Sequence, residues 1–148
     1  MRRVFVVLAG LLFLAILAQF YFAAVGAFDR PRDDDSFALH SITGMVLIPL
    51  LSILTTLAAA LARAPGRLIG LTLAPLGLLV VQVLIIVVGN VISGGADEET
   101  GLAGLVVFGL HAVNALVMMG AAAAVLRQAR AFATGKSTMD APQPAPVV

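Results

Sequence analysis

Four times along this chain the side chains stay apolar for about 20 residues or more, across residues 4–28, 37–62, 68–92 and 102–126. A helix on the surface of a soluble protein shows polar residues along its wet face, and none of these stretches does. A bilayer core about 30 Å thick takes about 20 apolar residues per helix, so each stretch predicts one membrane span. Short polar joints separate them, at residues 29–36, at Arg63-Ala64-Pro65-Gly66-Arg67 and at residues 94–101. Short joints make neighbouring helices antiparallel. The expected fold is an all-α integral membrane protein, an antiparallel up-down-up-down four-helix bundle over residues 1–133. Beyond it, Ala141-Pro142-Gln143-Pro144-Ala145-Pro146 cannot continue a helix, and residues 134–148 read as a flexible tail.

Composition narrows the class. Hydrophobic residues make up 61% of the 148 and charged residues 11%, with mean hydropathy +1.08. A soluble domain carries about 25% charged residues. So little charge cannot cover a water-facing surface, which argues against a soluble enzyme, a nucleic-acid binder or a disordered linker. With no cysteine in the chain, disulfides, thiolate metal sites and cysteine nucleophiles are excluded.

The few charges are sorted by side. Arg2, Arg3, Arg63, Arg67, Arg127, Arg130 and Lys136 flank one side of the spans, and only Arg30 and Arg32 the other. Cytoplasmic loops carry the excess of Lys and Arg, so both termini and the middle joint are expected inside the cell membrane. Asp29, Asp33, Asp34, Asp35, Asp97, Glu98 and Glu99 then lie outside. A rival reading of the first stretch is a cleaved secretory signal, with Met1-Arg2-Arg3 before the apolar run and Val25-Gly26-Ala27 as the cleavage site. Its apolar run is longer than the usual 7–15 residues.

Polar side chains within the spans are costly in lipid and usually face the bundle interior. The two histidines, His40 and His111, are the only ionisable residues so placed. Imidazole is a common axial ligand of haem iron, and facing helices of a bundle can hold such a group. Gly44 follows His40 by four residues, Ala115 follows His111 by four, and Gly104 precedes His111 by seven. Each lies on its histidine's face and would leave room for a flat porphyrin, although small residues also serve helix packing. Level helix starts would put His111 about 9–11 Å deeper than His40, an offset the pair must overcome to share one ligand. Gln19, Gln82, Asn90, Thr43 and Asn114 sit at similar depth and are either interhelical glue or support for the cofactor. In the third span Pro75, Gln82 and Gly89 recur every seven residues, marking an inward face. Pro49 and Pro75 should bend their helices.

No span holds a carboxylate, and the chain has no phosphate loop, zinc-protease or serine-hydrolase motif, which disfavours ion-coupled transport and these chemistries. At His40-Ser41-Ile42-Thr43-Gly44 and at Gly109-Leu110-His111-Ala112-Val113-Asn114-Ala115 the chain resembles one four-helix half of haem A synthase. Gln82-Val83-Leu84 is similar to that family's third helix. The resemblance covers spans two to four and implies a histidine in the second and fourth helices of the bundle, with haem between them. Ser41 stands where that family tends to have arginine, Ile86 where it has glycine, and the acidic residue of its catalytic half is missing beside His40. The whole chain also resembles a family of small actinobacterial four-span proteins of unknown function, in length, Arg-rich inner joints and histidine placement.

Three functions are compatible with these features. The first is a cytochrome-like protein with one haem b ligated by His40 and His111, with Gln19, Gly44, Gln82, Gly104, Asn114 and Ala115 around it. The second is a structural or accessory membrane protein without cofactor, its histidines satisfied by interhelical hydrogen bonds. The third is an oxidoreductase or cofactor-modifying enzyme using that haem. The bilayer is the partner the composition demands, and a homo-oligomer or a second membrane protein is compatible with all three.

Overall fold

The computed structural model describes residues 1–31, 33, 35–94 and 100–135. Arg32, Asp34, the acids at 97–99 and the tail from residue 136 lie outside the described residues. The first span is α1 (Arg2–Phe28). The second is α2 (Ala38–Ile42), a π-helical turn (Thr43–Leu47) and α3 (Ile48–Leu61). The third is α4 (Gly66–Thr72) and α5 (Ala74–Ile92), and the fourth is α6 (Leu102–Ala133). All four are long and apolar enough to cross a membrane. Among the described residues there is no strand. The protein is an all-α, four-span bundle, and the start of α1 and the last turn of α6 share one end of it.

Three spans match their expected bounds within two residues. α6 instead continues past residue 126 to Ala133. Its extra turns are amphipathic: Val125, Ala129 and Phe132 recur at helical spacing and are buried, while Arg127 and Arg130 are exposed. The Arg2 guanidinium closes this end, 4.5 Å from the centre of the Phe132 ring.

The two intramembrane prolines do more than bend. Pro49 and Pro75 each occupy the first turn of a new helix, α3 and α5. Proline has no N–H for the carbonyl one turn back and disfavours helical backbone before it. In span three the helix breaks at Leu73. In span two the chain widens into the π-turn just before Pro49. A π-turn holds one residue more than an α-turn, so it rotates the helix before it by about 100° relative to the helix after it. Nearby hydroxyls cover carbonyls within the apolar interior: Ser52 Oγ donates to the Ile48 carbonyl at 2.8 Å and Thr56 Oγ1 to that of Ser52 at 2.9 Å.

Packing is layered. At the end carrying Arg2 and Phe132, Phe5, Ala9, Ala58, Ala59, Leu68, Val125 and Ala129 form one cluster. In mid-bundle a second joins Leu12, Ile16, Ile48, Leu51, Met118 and Ala122. Alanine is frequent in both because lipid gives no hydrophobic drive for helices to associate, and close backbone approach takes its place. At the far end the chain folds back on itself. Gly26 permits this: a Cβ there would lie 2.5 Å from the Ser36 carbonyl oxygen and 2.6 Å from the Phe37 ring. Ser36 Oγ donates to Asp29 Oδ2 at 2.9 Å, holding this turn together.

Candidate functional site

Between the mid-bundle cluster and the far end lies a cavity of about 810 Å³, walled by all four spans. Ile16, Ile48 and Met118 belong both to the cluster and to the cavity lining, so they are its floor. The cavity exists because Ala23, Gly44, Ala112 and Ala115 present little side chain to it. Gln19, His40, Gln82 and His111, from four different spans, all line it. Its volume falls within the range of about 300–1,000 Å³ common for small-ligand pockets.

The two histidine rings meet in this cavity. Their centroids are 6.1 Å apart and their planes tilt by 48°. The depth offset expected between them therefore does not keep the rings apart. His40 stands in α2, just before the π-turn, with Phe37 edge-on at 6.4 Å. Its Nδ1 lies 3.2 Å from the backbone carbonyl oxygen of Gln19. A carbonyl only accepts, so this bond requires a proton on Nδ1 and, in the neutral ring, leaves the lone pair on Nε2. That is how ligating histidines are commonly held. His111 differs. Its backbone carbonyl accepts from Gln82 Nε2 at 2.8 Å, but its own Nδ1 is buried with no hydrogen-bond partner among the described residues.

The amides divide into two kinds. Gln82 lines the cavity, yet both ends of its side chain are engaged: Nε2 on His111, and Oε1 accepting a short hydrogen bond from Asn114 Nδ2. Asn114 Nδ2 also donates to the Leu78 carbonyl at 2.9 Å. Asn114 lies outside the cavity lining, because three residues from His111 its side chain turns towards α5 instead. The two amides thus join α5 to α6. Gln19 is otherwise placed, with its Oε1 buried and without a partner among the described residues. Asn90 is exposed and does not act as glue. Pro75, Gln82 and Gly89 are the buried residues of α5, the inward face their seven-residue spacing predicts.

Of the small residues expected beside the histidines, Gly44 and Ala115 line the cavity. Gly104 does not. Seven residues from His111 it is about 10 Å nearer the far end, packed where an added Cβ would collide with Ser93 Oγ and meet Thr100 Cγ2 at 3.0 Å. Gly44 has a second use, since a Cβ there would lie 2.5 Å from Gln19 Nε2. Three lining aromatics, Phe20, Phe37 and Phe108, escape a reading of the sequence. Phe37 sits at a helix start, where nothing distinguishes it from an interfacial residue. Phe108 is one of many apolar residues of α6, and only its seat against Gly89 (2.5 Å from a Cβ built there) sets it apart.

Residues 19–89 match the model of a family described as "Family of unknown function (DUF6220)". That stretch takes in Gln19, His40, Gly44 and Gln82 and ends before His111. No curated protein and no solved structure matches the chain. Together the fold and the match describe a small four-span apolar protein, part of which is similar to a family of unknown function.

Proposed function

We propose that this is a cytochrome-like protein of the cell membrane that holds one b-type haem between His40 and His111, near the outer face, for electron transfer or redox sensing. The observation that carries the reading is the meeting of the two rings across an apolar cavity. Two metal–imidazole bonds of about 2 Å put facing nitrogens about 4 Å apart, and a ring radius of about 1 Å on each side gives centroids about 6 Å apart. The rings stand at 6.1 Å. The donor set fits as well, since Gln19 fixes His40 in the tautomer whose Nε2 is free to ligate.

When bound, the haem supplies a one-electron couple. His40 and His111, from spans two and four, would hold its iron. Gly44, Ala112 and Ala115 leave the width a macrocycle needs, and the Ile16, Ile48 and Met118 floor keeps water from its inner edge. With arginines gathered at the end that holds Arg2 and the last turn of α6, the positive-inside bias supports cytoplasmic termini and a cavity in the outer half of the membrane.

A specific observation favours the accessory reading too. The bond from Gln82 to the His111 carbonyl and the pair of Gln82 with Asn114 are interhelical glue that calls for no cofactor. An optical spectrum of the detergent-purified protein from haem-replete cells, oxidised and then dithionite-reduced, decides between the two. The haem reading expects a Soret band and a sharp α-band on reduction. A colourless preparation would refute it and leave the accessory protein.

A further inference from the structure

The two histidines are held in opposite ways. At His40 the ring is fixed: Nδ1 is tied to the Gln19 carbonyl at 3.2 Å and Phe37 stands edge-on against it. At His111 the backbone is fixed, by Gln82 Nε2 on its carbonyl at 2.8 Å, while Nδ1 of its ring meets no partner among the described residues. A hydrogen bond on the far nitrogen orients a ligating imidazole and raises its basicity, and losing such support typically weakens metal binding about 10–100-fold. His40 has this support. His111 lacks it through Nδ1.

Room for movement lies on the same side. Ala112 and Ala115 flank His111 on its own helix and line the cavity with it, so the ring can rotate about its side-chain bonds without shifting α6. His40 has Gly44 beside it in the same way, but its rotation would break the bond to Gln19.

Building on the haem reading, we propose that His40 is the permanent ligand and His111 a displaceable one, so that the site takes up one small neutral diatomic molecule on the His111 side. The exchange needs no redox partner. His111 would give up its place as neutral imidazole, the gas would form the one bond that His111 loses, and no electron or proton would move. Such a site would sense a dissolved gas within the bilayer, where apolar diatomics concentrate.

The test is a carbon monoxide titration of the dithionite-reduced full-length protein in detergent. The wild type should shift its Soret band with one carbon monoxide per haem. His111→Ala should keep its haem as a high-spin species and bind carbon monoxide faster, having no ligand to displace. His40→Ala should retain about 10–100-fold less tightly bound haem than His111→Ala, judged by transfer to apomyoglobin. Nitrogen-15 spectra of the histidine-labelled apoprotein supply a readout free of haem. There His40 should be a single Nδ1–H tautomer, and His111 should not. Haem bands that ignore saturating carbon monoxide, equal haem retention in the two variants, or two identically locked tautomers would overturn this proposal and leave the haem reading standing. A preparation with no haem bands would overturn both.

Discussion

Replacing Asn114 with alanine tests whether the amide pair is structural. Asn114 Nδ2 donates two hydrogen bonds, to the Leu78 carbonyl and to Gln82 Oε1. Hydrogen bonds between membrane helices average about 0.6 kcal/mol and reach about 1.7, so losing two should cost about 1.2 kcal/mol, with a ceiling near ~3.4. Relaxation is limited, because Gln82 stays tied to His111 through Nε2 and cannot easily turn to a new donor. The assay is reversible unfolding of the purified protein in mixed micelles by added dodecyl sulfate, followed by circular dichroism. A double-mutant cycle with Gln82→Ala isolates the shared bond, whose coupling should be about 0.6 kcal/mol. Since Asn114 lies outside the cavity lining, Asn114→Ala should leave the position of any haem band unchanged. A stability loss within ~0.3 kcal/mol of zero, or a shifted Soret band, would refute the assignment of Asn114 to the α5–α6 joint.

Single positions give further tests. Gly26→Ala places a Cβ against the Ser36 backbone and the Phe37 ring, and should cost about 1–3 kcal/mol as overpacking in the same unfolding assay. Gly44→Ala meets only the movable amide of Gln19 and should be tolerated, whereas Gly44→Leu should fill the cavity, lowering haem content in the visible spectrum while membrane insertion persists. For topology, the chain's lack of cysteine allows single probes. Asp35→Cys should react with an impermeant maleimide on whole cells, and Arg67→Cys should react only after lysis. The reverse pattern would invert the orientation.

Where the bundle came straight from the sequence, the cause was the solvent. Lipid demands a long uninterrupted apolar helix at each crossing, so the spans are legible from composition alone and their ends from Arg63-Ala64-Pro65-Gly66-Arg67 and the acidic joints. The inward face of α5 was equally plain, because Pro75, Gln82 and Gly89 break an otherwise uniform run. α6 overran its expected end because its last turns are amphipathic and soluble-like, a pattern that an apolar-run criterion does not count. Gly104 and Asn114 were misplaced for another reason. Face arguments fix an angle around a helix, while membership in a cavity also needs the right depth and the right neighbour. Gly104 fails on depth and Asn114 on neighbour.

The π-turn of span two has no plain signature in the chain. His40 lies on the far side of the π-turn from Ile48 and the packed half of span two. In an unbroken α-helix the face fixed by Ile48, Leu51, Thr55 and Ala58 in the core would extend back to Gly44 and Leu47 by three- and four-residue steps. Gly44 keeps that face and lines the cavity, as does His40 four residues before it, but Leu47 is exposed and Thr43 is buried instead. On this face His40 reaches Gln19 on α1 and His111 on α6 together. Pro49 supplies the local reason, since the carbonyl of Met45 can have no helical N–H from it. A proline reads as a bend in the sequence. Here a widened turn stands just before it, in which Leu47 leaves the core face and Thr43 joins it.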